Sequence, residues 1–270
     1  MLDPAFKFSQ HSLSDFADCP RRFYLRYVAK QAWPLIESGP FKQDAQEYQK
    51  SLWRGTVLHR WIERYWLGVP AQSSDDAELN LWWARFTGTR FDDLPAQRLP
   101  ELALVAPLGD YLLYARFDLL ALDPAAERAV IVDWKTLRGE RPPRYRVFAE
   151  RFQTRIYLYV LATAGAAFNA GEPFAPEKIS MRYWLANFPD APWVDIPYSA
   201  DEHERDRRSL LALMDDAARR EGEEQYEMTP DESKCSDCTF RTLCRRRTGE
   251  PEQAAPDQWL DAEETPELDY

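Results

Sequence analysis

Apolar residues between positions 43 and 67 recur every three to four places. Leu52, Trp53, Val57, Leu58, Trp61, Ile62, Tyr65 and Trp66 trace the stripe of a helix packed on a core. The rhythm changes further on. Glu101 to Pro107, Tyr111 to Leu122 and Ala129 to Asp133 read as three strands, joined at Gly109-Asp110 and across Asp123-Pro124. Such tight connections favour an antiparallel meander. Helical spacing returns over 148–168, Lys178 to Leu185 reads as another strand, and Asp201 to Gly222 as a charged helix turning Leu210, Leu211, Leu213 and Met214 inward. Near the N-terminus, Ser12-Leu13-Ser14-Asp15 ahead of Phe16 has the form of a capping box, and Pro20 suits a first helical turn. Residues 13–29 are therefore expected as helix, break at Cys19, helix. The polar, proline-bounded stretch 71–100 predicts a short helical insertion with loops. Helices and strands intermix without an internal repeat, which predicts an α/β fold.

Composition sets the scale. The 270 residues are 45% hydrophobic, with ten Trp, thirteen Tyr and fourteen Phe, enough apolar surface for one large domain. The opening MLDPAFKFSQHSLSD has no basic segment leading into an apolar run, and the longest mostly apolar stretch, Tyr157 to Phe168, is too short to span a bilayer. A soluble, cytoplasmic protein with no membrane partner is expected. The formal net charge of -11 argues against a polyanionic partner only superficially. Residues Gly249 to Tyr270 carry eight acids and no base, leaving the remainder close to neutral. That segment reads as a solvated, flexible tail, with partner docking or DNA mimicry as the minority reading.

The candidate chemistry is concentrated. In VIVDWKT, Asp133 and Lys135 sit two apart, so a strand presents both on one face and Trp134 on the other. Asp118 falls within the apolar run YLLYARFDLLALD, where a buried carboxylate requires a cation beside it. Two carboxylates from adjacent strands with a lysine at the same edge make an oxygen-rich site for Mg2+ or Mn2+. Alone, a D-x-K tripeptide is more often a surface ion pair. All four cysteines fall into one constellation, Cys19 and then Cys235-x2-Cys238-x5-Cys244, which suits a disulfide pair, a zinc site or an iron-sulfur cluster. Arginines 138, 141, 144 and 146 follow Lys135, and Arg245, Arg246 and Arg247 follow the last cysteine. They could line a DNA track, with Tyr145, Phe148 and Phe152 available for base stacking.

Gly55-x3-His59, Glu101, Asp118, Asp133-x-Lys135 and Gln153-x3-Tyr157 occur in that order, and together with the cysteines they resemble the RecB-like branch of the PD-(D/E)XK nuclease superfamily. More narrowly, the chain resembles its iron-sulfur members, the CRISPR-associated RecB-like exonucleases and the nuclease domain of AddB. The resemblance spans residues 8–247. It implies a restriction-endonuclease-like core, a small mixed sheet flanked by helices, with the terminal segments joined by a four-cysteine metal cluster. Residues 1–248 would form the nuclease domain, with the insertion at about 69–100, and 249–270 the tail. The resemblance also implies that Asp118 and Asp133 hold metal, His59 and Glu101 add ligands, Lys135 is the catalytic lysine, and Gln153 and Tyr157 form the helix motif. Cys19, Cys235, Cys238 and Cys244 would ligate a 4Fe-4S cluster, with zinc as the runner-up. Where relatives often carry Gly-Arg-Ile-Asp, this chain has Ala115-Arg116-Phe117-Asp118. The implied activity is Mg2+- or Mn2+-dependent hydrolysis of DNA, at single strands or ends, in repair, recombination or CRISPR adaptation. A non-cleaving, end-guiding subunit and an RNA nuclease are the alternatives. No G-x4-G-K-[ST] loop occurs, so any ATP-driven helicase motor would be a partner chain.

Overall fold

The computed structural model describes residues 2–31, 42–70, 73–137, 139, 141–235 and 238–246. The acidic segment 249–270, Arg138 and Arg247 lie outside them. A six-stranded mixed sheet forms the centre: β1 (Lys7–Phe8), β2 (Gln97–Leu108), β3 (Tyr111–Asp123), β4 (Arg128–Lys135), β5 (Ile179–Leu185) and β6 (Trp193–Pro197). The expected meander is present, since β2 pairs antiparallel with β3 along its length and β3 with β4. β4 then pairs in parallel with β5, which the helical crossover between them requires.

Helices cover both faces. On one lie α1 (Gln10–Asp18), α6 (Phe152–Ala164) and α7 (Ala200–Ala218), which bury Leu13, Phe16, Ile156, Leu210 and Met214 against Ala115, Phe117, Leu120 and Ile131. On the other lie α3 (Lys42–Trp66) and α4 (Ala77–Gly88). Their Leu58, Trp61, Ile62, Trp82 and Phe86 pack on Val130, Val132, Trp134 and Trp184. Trp134 thus points away from the Asp133 face, as strand alternation demands. Its truncation to alanine would cost about 3–5 kcal/mol. The remaining helices are short: α2 (Pro20–Phe23), which continues as a wider turn to Val28, and α5 (Tyr145–Ala149).

Several local expectations shift. The first cap is Ser9, whose hydroxyl accepts from the Ser12 N–H while the Ser12 hydroxyl takes the Ser9 N–H, so the capping box begins three residues earlier than Ser12 suggested. The break at Cys19 stands, with Pro20 opening the next turn. The single helix expected over 148–168 is divided at Glu150 and Arg151. Leu211 and Leu213 are only partly buried, and Ala217 completes the inner face of α7.

The β2–β3 hairpin carries the feature that builds the site. Both strands slip their alternation by one residue at the same level. Leu102 and Phe117 face the α6 core, and so do Leu99 and Leu120, although an odd number of residues separates each from its counterpart along the strand. Between them, at the level where the register sets Glu101 opposite Asp118, Glu101 has φ +51°. For a non-glycine residue that left-handed conformation costs about 1–2 kcal/mol.

Candidate active site and cysteine corner

Asp118 lies where β3 and β4 part. Backbone pairing of these strands ends at Leu119 and Val132, and one further step of register would set Asp118 opposite Asp133. There Asp118 Oδ2 accepts the Trp134 N–H at 3.0 Å, so a side chain replaces the neighbouring strand's carbonyl. The same oxygen is 3.4 Å from His59 Nδ1, while His59 Nε2 meets the Trp134 carbonyl at 2.8 Å. A carbonyl can only accept, so Nε2 carries a proton. A neutral His59 therefore turns the Nδ1 lone pair toward a carboxylate, an arrangement that calls for a proton or a cation in between. Burial works to raise the Asp118 carboxyl, but His59, Lys135 and the Trp134 N–H outweigh it and hold the group below the ordinary range.

Asp133 is held from the other face. Lys135 Nζ is 2.9 Å from Asp133 Oδ2, and Gln153 Nε2 donates to Oδ1 at 2.6 Å. Asp133 is 1% exposed and Lys135 3%, so the pair is almost fully enclosed. Gln153 lies in the first turn of α6 and reaches Asp133 from there. The Lys135 ammonium is also 5.9 Å from the centre of the Tyr183 ring, which Phe148 contacts at 4.5 Å and Thr154 fixes through a 2.6 Å hydroxyl pair.

Glu101 joins from β2. Its carboxyl is pushed up to about 7, by burial first and then by the Asp118 charge, with Glu63 adding to both; Arg116, at 3.4 Å, and His59 act in the opposite direction. Glu63 was not singled out from the sequence. Its only signal is the His59-x3-Glu63 spacing, one helical turn on α3, which solvated helices show routinely.

Thus Glu101, Asp118, Asp133, Lys135, His59 and Gln153 gather around the splayed ends of β3 and β4. Tyr157, one turn further along α6, packs edge-on against Phe117 at 5.3 Å and stands 3.4 Å from Gln10 Nε2. Two proposed DNA contacts are otherwise engaged: Phe148 is fully buried, and Arg246 bonds Glu232 and the Thr229 carbonyl. Arg146 stays exposed, its 2.6 Å pair with Glu150 lying on the surface. Tyr145 remains exposed, and Phe152 is half-buried beneath Arg155.

The four cysteines form a second locality. All are free thiols, so the disulfide option is removed, and all line one cavity together with Arg22, Lys234, Arg241 and Arg246. Cys19 caps α1 and accepts the Thr229 N–H at 3.4 Å. Burial, followed by the neighbouring thiols, raises Cys244; Cys235 is raised mainly by burial, against the pull of Arg246. Ordinary protein contacts dock this segment on α1 and α2: Arg21 bonds the Tyr226 carbonyl at 2.9 Å, and Lys234 and Arg22 meet Asp18 at 2.9 and 2.8 Å.

The sequence model of the PD-(D/E)XK nuclease superfamily matches residues 7–245. The chain belongs to this superfamily. Its nucleases hydrolyse phosphodiester bonds, typically with divalent ions such as Mg2+ or Mn2+. Among solved structures, an exonuclease candidate from Eubacterium rectale shares 12% identity over 91% of this chain and 90% of its own, with a TM-score of 0.52. The protein designated SSO0001 shares 18% identity over 90% and 87%, with a TM-score of 0.45. No curated protein matches the chain. Among the described residues of this nuclease, no three His, Cys, Asp or Glu side chains stand close enough together to hold a metal ion. The donor types nevertheless fit: carboxylates and an imidazole suit a hard divalent ion at the strand ends, and four thiols suit a thiophilic centre. No described helix is long and apolar enough to cross a membrane.

Proposed function

We propose that the chain is a divalent-metal-dependent DNA nuclease of the RecB-like branch that works on unpaired strands or strand ends. The observation that carries this reading is the pairing of Asp133 with Lys135 on one face of β4, at 1% and 3% exposure, with Gln153 of α6 bonded to the carboxylate. A flexible single strand can bend to bring one phosphate to such an enclosed pair more readily than a stiff duplex can. Asp118, Asp133 and His59 would hold the metal, with Glu101 at its edge. When bound, the metal supplies positive charge against the scissile phosphate.

The chain's own groups do the rest. Gln153 fixes the Asp133 carboxylate by donating to one oxygen, which leaves the other to orient the Lys135 ammonium. Lys135 then opposes the negative charge that builds on the phosphate oxygens as water attacks. His59 is locked in one ring orientation by the Trp134 carbonyl, so its Nδ1 faces Asp118 without having to reorganise. Tyr157 serves this arrangement by packing α6 on β3.

For Cys19, Cys235, Cys238 and Cys244 we propose a 4Fe-4S cluster, with zinc as the alternative. Four thiols around one cavity, flanked by cations, support it. Joining residue 19 to the 235–244 segment would close a loop of about two hundred residues and stabilise the fold by several kcal/mol.

The test is a cleavage assay on labelled single-stranded DNA, duplex DNA and RNA with Mn2+ or Mg2+, comparing wild type with Lys135→Ala. Single-stranded DNA should be cut by wild type alone. Cleavage of RNA only would transfer the reading to RNA, and tight DNA binding without cleavage, unaffected by Asp133→Ala, would make the chain an end-guiding subunit.

A further inference from the structure

The outer half of the β2–β3 hairpin turns Leu102, Leu104, Ala106, Leu113, Ala115 and Phe117 to the core. Its other face carries three cross-strand pairs, Ala103 with Arg116, Val105 with Tyr114, and Pro107 with Leu112. This face is open to solvent: Val105 and Leu112 are each 38% exposed and the Arg116 side chain 50%. β1 extends it, pairing in parallel so that exposed Lys7 stands beside Leu112. Inward of these pairs the register passes from Leu102 and Phe117 to Pro100 and Leu119, and Glu101 and Asp118 lie at the step between them. The strip therefore runs from the hairpin tip toward the candidate active site.

We infer that this face guides one unpaired nucleic-acid strand to Asp118. Tyr114 stacks on a base, Arg116 meets a phosphate beside the site, and Lys7 takes a phosphate about two nucleotides further out. The inference rests on the nuclease reading and adds the path by which substrate arrives.

Three features select this occupant. Residues on one face of a strand repeat every two positions, about 6.7 Å apart, close to the step between phosphates along an extended single strand. From Arg116 to the level of Lys7 is four residues, hence about two such steps. Between these cations the surface is an aromatic ring among aliphatic side chains, which receives bases of any sequence by stacking. Finally, the strip leads toward Asp118, where a phosphate must arrive for the proposed chemistry. An apolar protein partner would leave exposed Lys7, at the outer end of the strip, without a matching charge.

The experiment is fluorescence anisotropy of a labelled single strand of about twelve nucleotides, binding to full-length protein that carries Lys135→Ala to prevent cutting. Adding Tyr114→Ala should weaken binding about fivefold or more. Adding Lys7→Ala should lower the slope of log affinity against log salt by about 0.7, the share of one single-strand phosphate. A blunt duplex of equal length should bind more weakly and be insensitive to Tyr114→Ala. Because the two substitutions lie on different strands, a folding defect in one, seen by melting, leaves the other to decide. Single-strand affinity and salt slope unchanged in both variants, or an equal loss for the duplex, would overturn the inference. If these sensitivities appear but wild type cuts no nucleic acid, the nuclease reading fails while the guiding face stands.

Discussion

The splayed strands and the cysteine corner both bring together residues from separate parts of the chain, yet the chain prepares them differently. At the strand ends, register and hydrogen bonds hold every polar group: Asp118 is fixed by the Trp134 N–H and His59, Asp133 by Lys135 and Gln153. At the cysteine corner the surrounding arginines and lysine dock the segment, and the four thiols line a common cavity, Cys19 also accepting the Thr229 N–H. One region has its carboxylates oriented by protein partners before any metal arrives, although among the described residues neither region gathers three ligands close enough to hold one. The other awaits a ligand to draw it together, so metal removal should leave the first intact and loosen the second.

Substitutions sharpen that contrast. The largest effect is expected from Asp133→Ala, which removes a proposed metal-binding carboxylate and takes from the buried Lys135 ammonium its 2.9 Å partner; DNA cleavage should fall by at least about a hundredfold, read as single-turnover rate. Next is Cys19→Ala. It should abolish bound iron or zinc and lower the melting temperature of the whole domain, and melting and metal content equal to wild type would break the idea of a clip. Gln153→Ala removes a hydrogen bond to a buried charge worth about 1.5–3 kcal/mol, so cleavage should slow about tenfold or more with little change in metal content at the cysteines.

The smallest effect concerns Glu101. Its carboxyl titrates near 7 in the folded chain against 4.5 for the free group, so the folded state retains a proton that the unfolded state has already released. Stability of the metal-free protein should therefore decline as pH rises from about 4.5 to 7. Denaturant unfolding at several pH values checks this. Glu101→Gln should flatten the decline, and a variant with the wild-type slope would assign it to another group.

Much of the central sheet was legible in the sequence because β2, β3 and β4 have long apolar runs punctuated by turn residues. β1 was not, being two residues long and defined only by pairing with Leu112 and Leu113. β6 was hidden by its half-exposed sequence WVDIP, whose Asp195 forms an ion pair with Arg182. The site residues were named by resemblance, and tertiary contact added what spacing could not. Nothing in PELALV announces a left-handed Glu101, and nothing about Glu63 separates it from a solvated helix acid. Phe148 as a base-stacking residue failed for a related reason: an aromatic at helical spacing serves a core equally well, and here Tyr183 claims it.

In the proposed site Asp118 and Asp133 share a divalent ion where β3 and β4 part. Calorimetric titration with Mn2+, comparing wild type with Asp118→Asn, tests it without reference to any substrate. Saturable binding to wild type that disappears in Asp118→Asn is the predicted result. Equal binding by both proteins, or none by wild type, would contradict it.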